Sequence, residues 1–227
     1  MADLALNIAL TVDVIIFRLR EGELQTLLIK RGLAPYKGRW AIPGGFVRPD
    51  ESVDAAARRE LFEETGLKEV YLEQLYTFGE PKRDPRGRVV TVAYFVLAAI
   101  AQAAPQAGDD AAEAQWRPIT DLPPLAFDHA SILAYALKRL RYKLEYTAVG
   151  FELLPEEFTL TELQTAYEII LGETLDKRNF RRRLLEADPP IIEETGKYRT
   201  GQVGPRAQLY RYRDDAVAEV RARRLFP

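Results

Sequence analysis

The sequence Gly45-Phe-Val-Arg-Pro-Asp-Glu51, continued by Arg59-Glu60-Leu-Phe-Glu63-Glu64-Thr-Gly66-Leu67, decides the fold of the first half of the chain. Residues 51–65 have helical periodicity, and Gly66 is placed to end the helix. Glu63 and Glu64 follow Glu60 by three and four residues, so the three carboxylates gather on one side of that helix. Like charges at this spacing destabilise a helix unless a cation offsets them. An all-oxygen ligand set predicts a hard ion, Mg²⁺ or Mn²⁺.

A glycine pair, Gly44-Gly45, lies just ahead of this helix. Glycine adopts positive φ without a clash at Cβ, so we expect a tight turn here whose main-chain atoms approach the cation closely. Three strands are predicted around it: a hairpin formed by residues 6–18 and 23–30, and a short strand over residues 40–42. Residues 70–78, 89–100 and about 115–119 are further predicted strands, with a loop over 101–114. A long helix is predicted over residues 128–145, capped by Asp128 or a close neighbour.

The composition excludes several kinds of site. The chain has 227 residues, no cysteine and a single histidine, His129. Disulfides, thiolate zinc sites, cysteine nucleophiles and histidine metal clusters are therefore excluded, and a Ser-His-Asp triad has little support. His129 is interpreted as a capping or packing residue at a helix start. No apolar run approaches the ~18 residues of a membrane-spanning helix, and the first nine residues do not resemble an export signal. We therefore expect a cytoplasmic protein.

The spacing Gly-x5-Glu-x7-Arg-Glu-Leu-x-Glu-Glu-x-Gly-Leu in residues 45–67 resembles the signature of the Nudix hydrolase superfamily at every fixed position. This resemblance implies an α+β fold, an α/β/α sandwich, that hydrolyses a nucleoside diphosphate linked to another group with Mg²⁺ or Mn²⁺. The catalytic and metal-binding roles implied by the motif fall on Glu51, Arg59, Glu60, Glu63, Glu64 and the Gly44 carbonyl. Among these residues, the resemblance implies that Glu51 and Arg59 hold the loop and the helix of the motif in place. The general base is left open between Glu60 and a glutamate from a distant loop, such as Glu113.

Two basic loops are candidates for binding the substrate. The first surrounds the strand that enters the glycine pair, and the second spans residues 79–88. Arginines in either loop are suited to phosphate groups, and an aromatic side chain nearby is suited to stacking on a base. The predicted substrate-binding residues are Arg31, Tyr36, Arg39, Phe78, Arg83 and Arg86.

The last third of the chain has the pattern of a winged helix-turn-helix. Thr159-Leu-Thr-Glu162 is a capping box that opens a helix ending at Gly172, and a short turn leads to a second helix from about residue 175 to 187. Phe180 and Leu184 would face the core and leave the cations facing outward, as in a helix that reads the major groove. Strands over residues 191–195 and 207–213 would form a wing with its tip at 196–201. The predicted DNA-binding residues are Lys177, Arg178, Asn179, Arg181, Arg182, Lys197 and Arg199.

Charge separates these two parts of the chain. Residues 176–227 carry 13 basic and 8 acidic side chains, whereas the remaining residues carry 19 basic and 26 acidic ones. We therefore predict two domains, 1–147 and 148–227, with different partners.

The whole chain resembles the Nudix-related transcriptional regulators of NAD metabolism. The resemblance is carried by residues 83–87 (RDPRG), 125–129 (LAFDH), 175–181 (LDKRNFR) and 208–211 (QLYR). It implies that the Nudix domain senses ADP-ribose or a related compound, and that a homodimer binds double-stranded operator DNA. Two alternatives stay open: a ligand-sensing repressor with little or no hydrolysis, and a pyrophosphatase whose C-terminal module serves only dimerisation.

Overall fold

The computed structural model describes residues 7–67, 71–98, 111–146, 148–188, 190–200 and 206–213. The contacts divide the chain into two compact units. The first takes the described residues up to Arg18 and from Gln25 to Leu137, and the second takes Leu19–Leu24 and those from Lys138 onward. This division falls inside the long helix that begins at His129, whereas the boundary at residue 147 stays a prediction. No helix in the described ranges has the length and apolar character needed to cross a membrane.

The first unit is built on a seven-stranded sheet. Its strands are β1 (Ala9–Arg20), β2 (Glu23–Arg31), β3 (Trp40–Ala41), β4 (Gly44–Phe46), β5 (Tyr71–Phe78), β6 (Val89–Leu97) and β7 (Ala111–Pro118). The order is β3-β2-β1-β6-β5, with β4 beside β1 and β7 beside β2. β1 and β6 are parallel, whereas β4 is antiparallel to β1. The predicted hairpin of β1 and β2 is confirmed, and Glu21 and Gly22 in its turn both have positive φ.

β7 begins inside the segment predicted as a loop. It pairs with β2 from Gln25↔Pro118 to Arg31↔Ala111. Its local composition, rich in alanine and glutamine, does not favour a strand, so the hydrogen bonds to β2 determine its length. The predicted loop over 101–114 is therefore wrong from residue 111 onward, and residues 101–110 lie outside the described part of the chain.

Strand β1 is buried on both faces. Val12, Val14 and Ile16 belong to an apolar cluster that also contains Ala56, Ala57 and Leu61 of helix α1 (Val53–Thr65). Alternate residues of a strand point to opposite faces, so Thr11 and Asp13 face away from α1. There Asp13 lies against His129, the first residue of helix α2 (His129–Tyr146). This arrangement places one helix on each side of β1.

The two helices of this unit begin differently. The Ser52 side chain caps α1 by accepting from Ala55 N, and Gly66 with φ of 71° ends the helix as predicted. The cap of α2 was predicted at Asp128 or a close neighbour, and the Asp128 side chain does not form it. Its main-chain oxygen accepts from Ser131 N and Ile132 N, but its carboxylate binds Arg83. A buried arginine competes more strongly for that carboxylate than exposed main-chain N–H groups do.

The second unit confirms the predicted winged helix pattern. Its elements are a 3₁₀ helix (Ala148–Leu153), β8 (Glu157–Phe158), α3 (Leu160–Leu171), α4 (Lys177–Leu185), β9 (Ile192–Arg199) and β10 (Ala207–Tyr212), with strand order β8-β10-β9. The capping box of Thr159 and Glu162 is present, and Gly172 with φ of 78° ends α3. Helix α4 starts two residues later than predicted because Asp176 caps it, accepting from Asn179 N. Phe180 and Leu184 are buried, as expected.

Candidate functional site

Strand β4 explains the glycine pair, but not through the conformation that we expected. Neither Gly44 nor Gly45 has a positive φ. Space is the constraint instead, because a Cβ on Gly44 would overlap Val12 O and lie 2.9 Å from Asp13 Oδ1. A Cβ on Gly45 would overlap Glu60 Oε1 and lie 2.8 Å from Glu60 Cδ. The pair therefore forms a stretch of backbone without side chains, the glycine strip, between the carboxylates of Asp13 and Glu60.

Arg59 organises the carboxylates of the helix. Its Nε and Nη2 donate to the two oxygens of Glu51 at 3.0 and 2.7 Å, and Nη2 also donates to Phe46 O at 3.2 Å. Its Nη1 donates to Glu60 Oε1 at 2.6 Å and to Glu63 Oε2 at 3.3 Å. These bonds hold the loop before α1, strand β4 and the helix in one fixed arrangement.

The electrostatic environments of these carboxyls differ. The hydrogen bonds from Arg59, with a second from Arg48 N, lower the pKa of Glu51 to about 2. Burial raises the pKa of Glu60, and the contact with Arg59 only partly opposes this effect. Glu60 is thus a desolvated carboxyl that would gain from a nearby cation.

The acidic side chains of α1 fit a hard cation in chemistry, although the structure does not bring them together as a finished cluster. Within the described ranges, no group of three Asp, Glu or His side chains converges as a metal site. Arg59 donates to both Glu60 and Glu63 in this arrangement. Glu64 follows on the same helix and is 6% exposed. Oxygen donors from Glu60, Glu63, Glu64 and the main chain of Gly44 match the preference of Mg²⁺ or Mn²⁺.

The Gly45→Ala substitution is expected to lower the free energy of unfolding by about 1–3 kcal/mol, because its methyl group would overlap Glu60 Oε1. Chemical denaturation of the two proteins measures this difference. Gly79→Ala is the matched control, since its Cβ would lie 3.6 Å from Val90 Cγ2, an ordinary contact. Equal destabilisation by both substitutions would show that the bare backbone at Gly45 is not required.

A cavity of about 140 Å³ opens beside the glycine strip, on the face of β1 opposite α1. Its lining comes from β1, β2, β4 and the loops that carry the RDPRG and LAFDH motifs. The lining residues are Thr11, Asp13, Ile29, Arg31, Leu33, Ala34, Ile42, Gly44, Gly45, Phe46, Arg83, Asp84, Arg86, Phe127 and His129. The predicted residues Arg31, Arg83 and Arg86 are therefore brought to one place.

Two of the three arginines that line the cavity, Arg31 and Arg86, lie over the ring of Phe127. The guanidinium carbon of Arg31 lies 4.8 Å from the Phe127 ring centre, and that of Arg86 lies 5.6 Å from it. Asp84 is buried and accepts from Arg86 N, Nε and Nη2 at 2.7–3.2 Å. Burial of Asp84 alone would raise its pKa, but the hydrogen bonds from Arg86 outweigh it and lower the pKa. Arg86 is thus held in place as a fixed positive charge.

The other predicted substrate residues lie elsewhere. Tyr36 has a φ of 63° and packs edge-on against Phe127, at 4.8 Å between ring centres, but it does not line the cavity. Arg39 lies beside Tyr36. Phe78 packs with Tyr76 and Tyr135 in a separate aromatic group, so the structure does not bring it to the cavity. Glu113, an alternative base, pairs with Lys30 at 3.6 Å and is also outside the cavity lining.

Sequence reasoning missed the buried ionic group at the cavity floor. Arg83 Nε and Nη2 donate to Asp128 at 3.0 and 2.8 Å, and Nη2 lies 3.4 Å from Asp13 Oδ2. His129 Nδ1 accepts from Ile42 N at 2.9 Å, which gives this residue the structural role that was predicted, and burial lowers its pKa. The overlooked signal was Asp13, a single acidic residue inside the apolar run of β1.

In the second unit, α4 presents a basic face. Lys177, Arg178, Asn179 and Arg182 are exposed, while Arg181 is half-buried and donates to Thr161 Oγ1 at 3.2 Å. In the part of the chain that the structure describes, neither Arg178 nor Arg182 forms an ion pair. Their charges are therefore available to a polyanion.

The predicted place of Lys197 and Arg199 at the tip of the wing is wrong. Both lie within β9, which continues to Arg199 because it pairs with β10 there. Lys197 Nζ binds Glu157 Oε1 at 2.7 Å, and Arg199 pairs with Glu162 and donates to Glu157 O at 3.1 Å. These cations are partly neutralised by acidic groups of their own unit. Residue 201 of the predicted tip lies outside the described part of the chain.

Comparison with known families assigns both units. Residues 9–139 match the NUDIX domain, and residues 150–212 match the NrtR DNA-binding winged helix domain. The predicted α+β fold class and the two family resemblances are thereby confirmed.

Two curated relatives and one solved structure are similar to this chain. The ADPR-responsive transcriptional repressor NtrR of Acinetobacter baylyi is 45% identical over 207 residues, covering 89% of this chain and 81% of the relative. An ADP-ribose pyrophosphatase of Methanocaldococcus jannaschii is 45% identical over 130 residues, covering 57% of this chain and 73% of the relative. The crystal structure of Shewanella oneidensis NrtR with a 27mer DNA has a TM-score of 0.82 at 36% identity, covering 96% of this chain and 99% of that one.

Proposed function

The chain belongs to the Nudix superfamily and to its NrtR-type members, and from this premise we propose that it is a transcriptional regulator that responds to ADP-ribose. The observation that carries the proposal is that one chain combines an arginine-lined cavity in the Nudix fold with an exposed basic helix, α4, in a winged helix fold. Similarity to a repressor described as ADPR-responsive, over most of both chains, supports the same conclusion.

The cavity suits the diphosphate part of such a ligand. Arg31 and Arg86 provide guanidinium groups at its wall, and the rim presents the ring of Phe127. Guanidinium groups bind phosphate oxygens in a planar, bidentate manner. A ligand with two phosphates and attached ribose is therefore matched in charge and polarity.

The DNA partner is supported by α4. Arg178 and Arg182 are exposed one turn apart on the second helix of a helix-turn-helix, the element that enters the major groove in this motif. A homodimer would match a palindromic operator, and we include a homodimer in the proposal. A dimerisation role alone for the C-terminal unit would leave this basic face without a function.

We also propose that the Nudix domain hydrolyses its ligand. The supporting observation is the complete set of Glu51, Arg59, Glu60, Glu63 and Glu64, with Arg59 fixing three of these carboxylates. Bound Mg²⁺ or Mn²⁺ would neutralise the diphosphate oxygens and lower the pKa of a water molecule. Glu60, Glu63, Glu64 and Gly44 would hold the ion. The general base is either Glu60 or Glu113, and Lys30 engages Glu113 at 3.6 Å.

The regulatory proposal predicts that ADP-ribose changes the affinity of the protein for DNA. Gel shifts with duplexes from the promoter region should show a change of at least about five-fold in apparent Kd, because regulatory coupling is typically of this size or larger. The coupling is reciprocal, so the same duplex must change the Kd for ADP-ribose by the same factor. Unchanged DNA affinity at saturating ADP-ribose would contradict the proposal.

A further inference from the structure

Asp13, at the floor of the cavity, is a buried carboxylate with unused hydrogen-bonding capacity. It is 7% exposed. Arg83 Nη2 lies 3.4 Å from its Oδ2, and His129 Nε2 lies 3.6 Å from its Oδ1. Both distances are at or beyond the long end of ordinary hydrogen bonds. An ionised carboxylate has about four acceptor positions, and leaving them unsatisfied in a buried place is costly.

The neighbouring acids do not share this property. Arg83 donates its two shorter hydrogen bonds to Asp128, at 3.0 and 2.8 Å. Arg86 donates four hydrogen bonds to Asp84, at 2.7–3.2 Å. Asp13 is therefore the carboxylate of the cavity floor whose protein partners are weakest. Groups that donate hydrogen bonds from a ligand would satisfy it.

The glycine strip lies between Asp13 of β1 and Glu60 of α1. Gly44 lies against Asp13 and Gly45 lies against Glu60, on opposite sides of the same bare backbone. A diphosphate held beside the strip by Arg31 and Arg86, at the cavity wall, would present its attached group to Asp13 at the floor. That attached group needs hydroxyls, because Asp13 only accepts hydrogen bonds when ionised.

The size of the cavity indicates which group this is. Its volume is about 140 Å³. Pockets that enclose drug-sized ligands measure roughly 300–1,000 Å³. The cavity therefore suits a single sugar rather than a nucleoside. Its floor of Asp13, Arg83, Asp84 and His129 is polar, as a polyhydroxyl group requires.

We propose that Asp13 accepts hydrogen bonds from hydroxyl groups of the terminal sugar of a nucleoside diphosphate sugar, and so distinguishes ADP-ribose from ADP. This inference rests on the proposed function, since it takes ADP-ribose as the ligand. It assigns Asp13 as a specificity-determining residue that does not take part in bond cleavage.

Calorimetric titration of the full chain with ADP and with the methylene-bridged analogue of ADP-ribose, which cannot be hydrolysed at the diphosphate, tests this role. Asp13→Asn should weaken the ADP-ribose analogue by about 10–100-fold, the size expected for hydrogen bonds to a charged group. The affinity for ADP should change by less than about three-fold. Asp121→Asn is the control for the loss of one carboxylate charge, because Asp121 is exposed and lies outside the cavity lining. It should leave the preference for the ADP-ribose analogue intact.

The outcomes separate this inference from the function on which it rests. If the unmodified protein binds neither ligand, the proposed function fails. If it binds the analogue but Asp13→Asn weakens ADP and the analogue equally, only the assignment of Asp13 is overturned. Because the comparison of two ligands is made within one variant, a partly unfolded population lowers the titrated fraction and leaves the ratio of affinities unchanged. A retained preference in Asp13→Asn also overturns the assignment.

Discussion

Glu64→Gln is expected to lower kcat for ADP-ribose hydrolysis by about 1,000-fold or more in the presence of Mg²⁺. Glu64 is a buried residue of α1 and one of the ligands that we propose for the metal ion. Glutamine keeps the shape of the side chain but removes the negative charge that binds the cation. Turnover followed by the release of AMP and ribose phosphate measures the effect, with the unfolding temperature recorded for both proteins.

Asp50→Asn provides the control for Glu64→Gln, because Asp50 is an exposed acid at a variable position of the motif, just before Glu51. It should retain turnover within about two-fold of the unmodified protein. Unchanged turnover in Glu64→Gln would remove the metal-binding assignment. If the unmodified protein itself has no turnover, the enzymatic part of the proposal fails and the ligand-sensing repressor is favoured. DNA affinity should be the same in both variants, since α4 is unaffected.

Replacing Arg178 and Arg182 together with alanine is expected to weaken DNA binding by about 10–100-fold at moderate salt, with ADP-ribose turnover unchanged. The two guanidinium groups are exposed on α4, and in the described chain neither pairs with an acid. If both contact phosphates, the slope of log Kd against log salt should fall by about two. Gel shifts over a range of salt concentrations give both quantities.

The matched control for this pair is the double substitution Lys138→Ala and Arg139→Ala. Both residues are exposed cations on α2, so the net charge changes by the same amount. This control should lower DNA affinity by less than about three-fold and leave the salt slope unchanged. Equal losses in the two double variants would show that overall charge, and not the helix α4, determines binding.

Local signals predicted the elements of the fold well. Gly66 ends α1 as predicted, and the predicted capping box of Thr159 and Glu162 with Gly172 bounds α3. Helix caps can be predicted from sequence because the residues that pair with the free backbone groups at a helix end are its immediate neighbours in sequence. The family resemblance was equally readable, since the motif of residues 45–67 depends on spacing within one loop and one helix.

Strand lengths and the wing were predicted less well. β7 extends back to Ala111 because β2 provides its hydrogen bonds, and β9 extends to Arg199 because β10 does. Partners in a sheet are distant in sequence, so the local composition of one strand does not determine where its ladder ends. The misplacement of Lys197 and Arg199 follows directly from this.

The sequence by itself determined the class of protein: the carboxylates of α1, the two-domain order and the basic helix α4 were all evident from residue types and short spacings. Only the tertiary structure decided which groups meet. It brought Asp13 of β1, Arg83 of a loop and Asp128 at the start of α2 into one buried group, and it showed that Gly44 and Gly45 are needed for space. The two contacts of Arg83 join residues 45 and 70 positions apart, and only chain folding brings them within hydrogen-bonding distance.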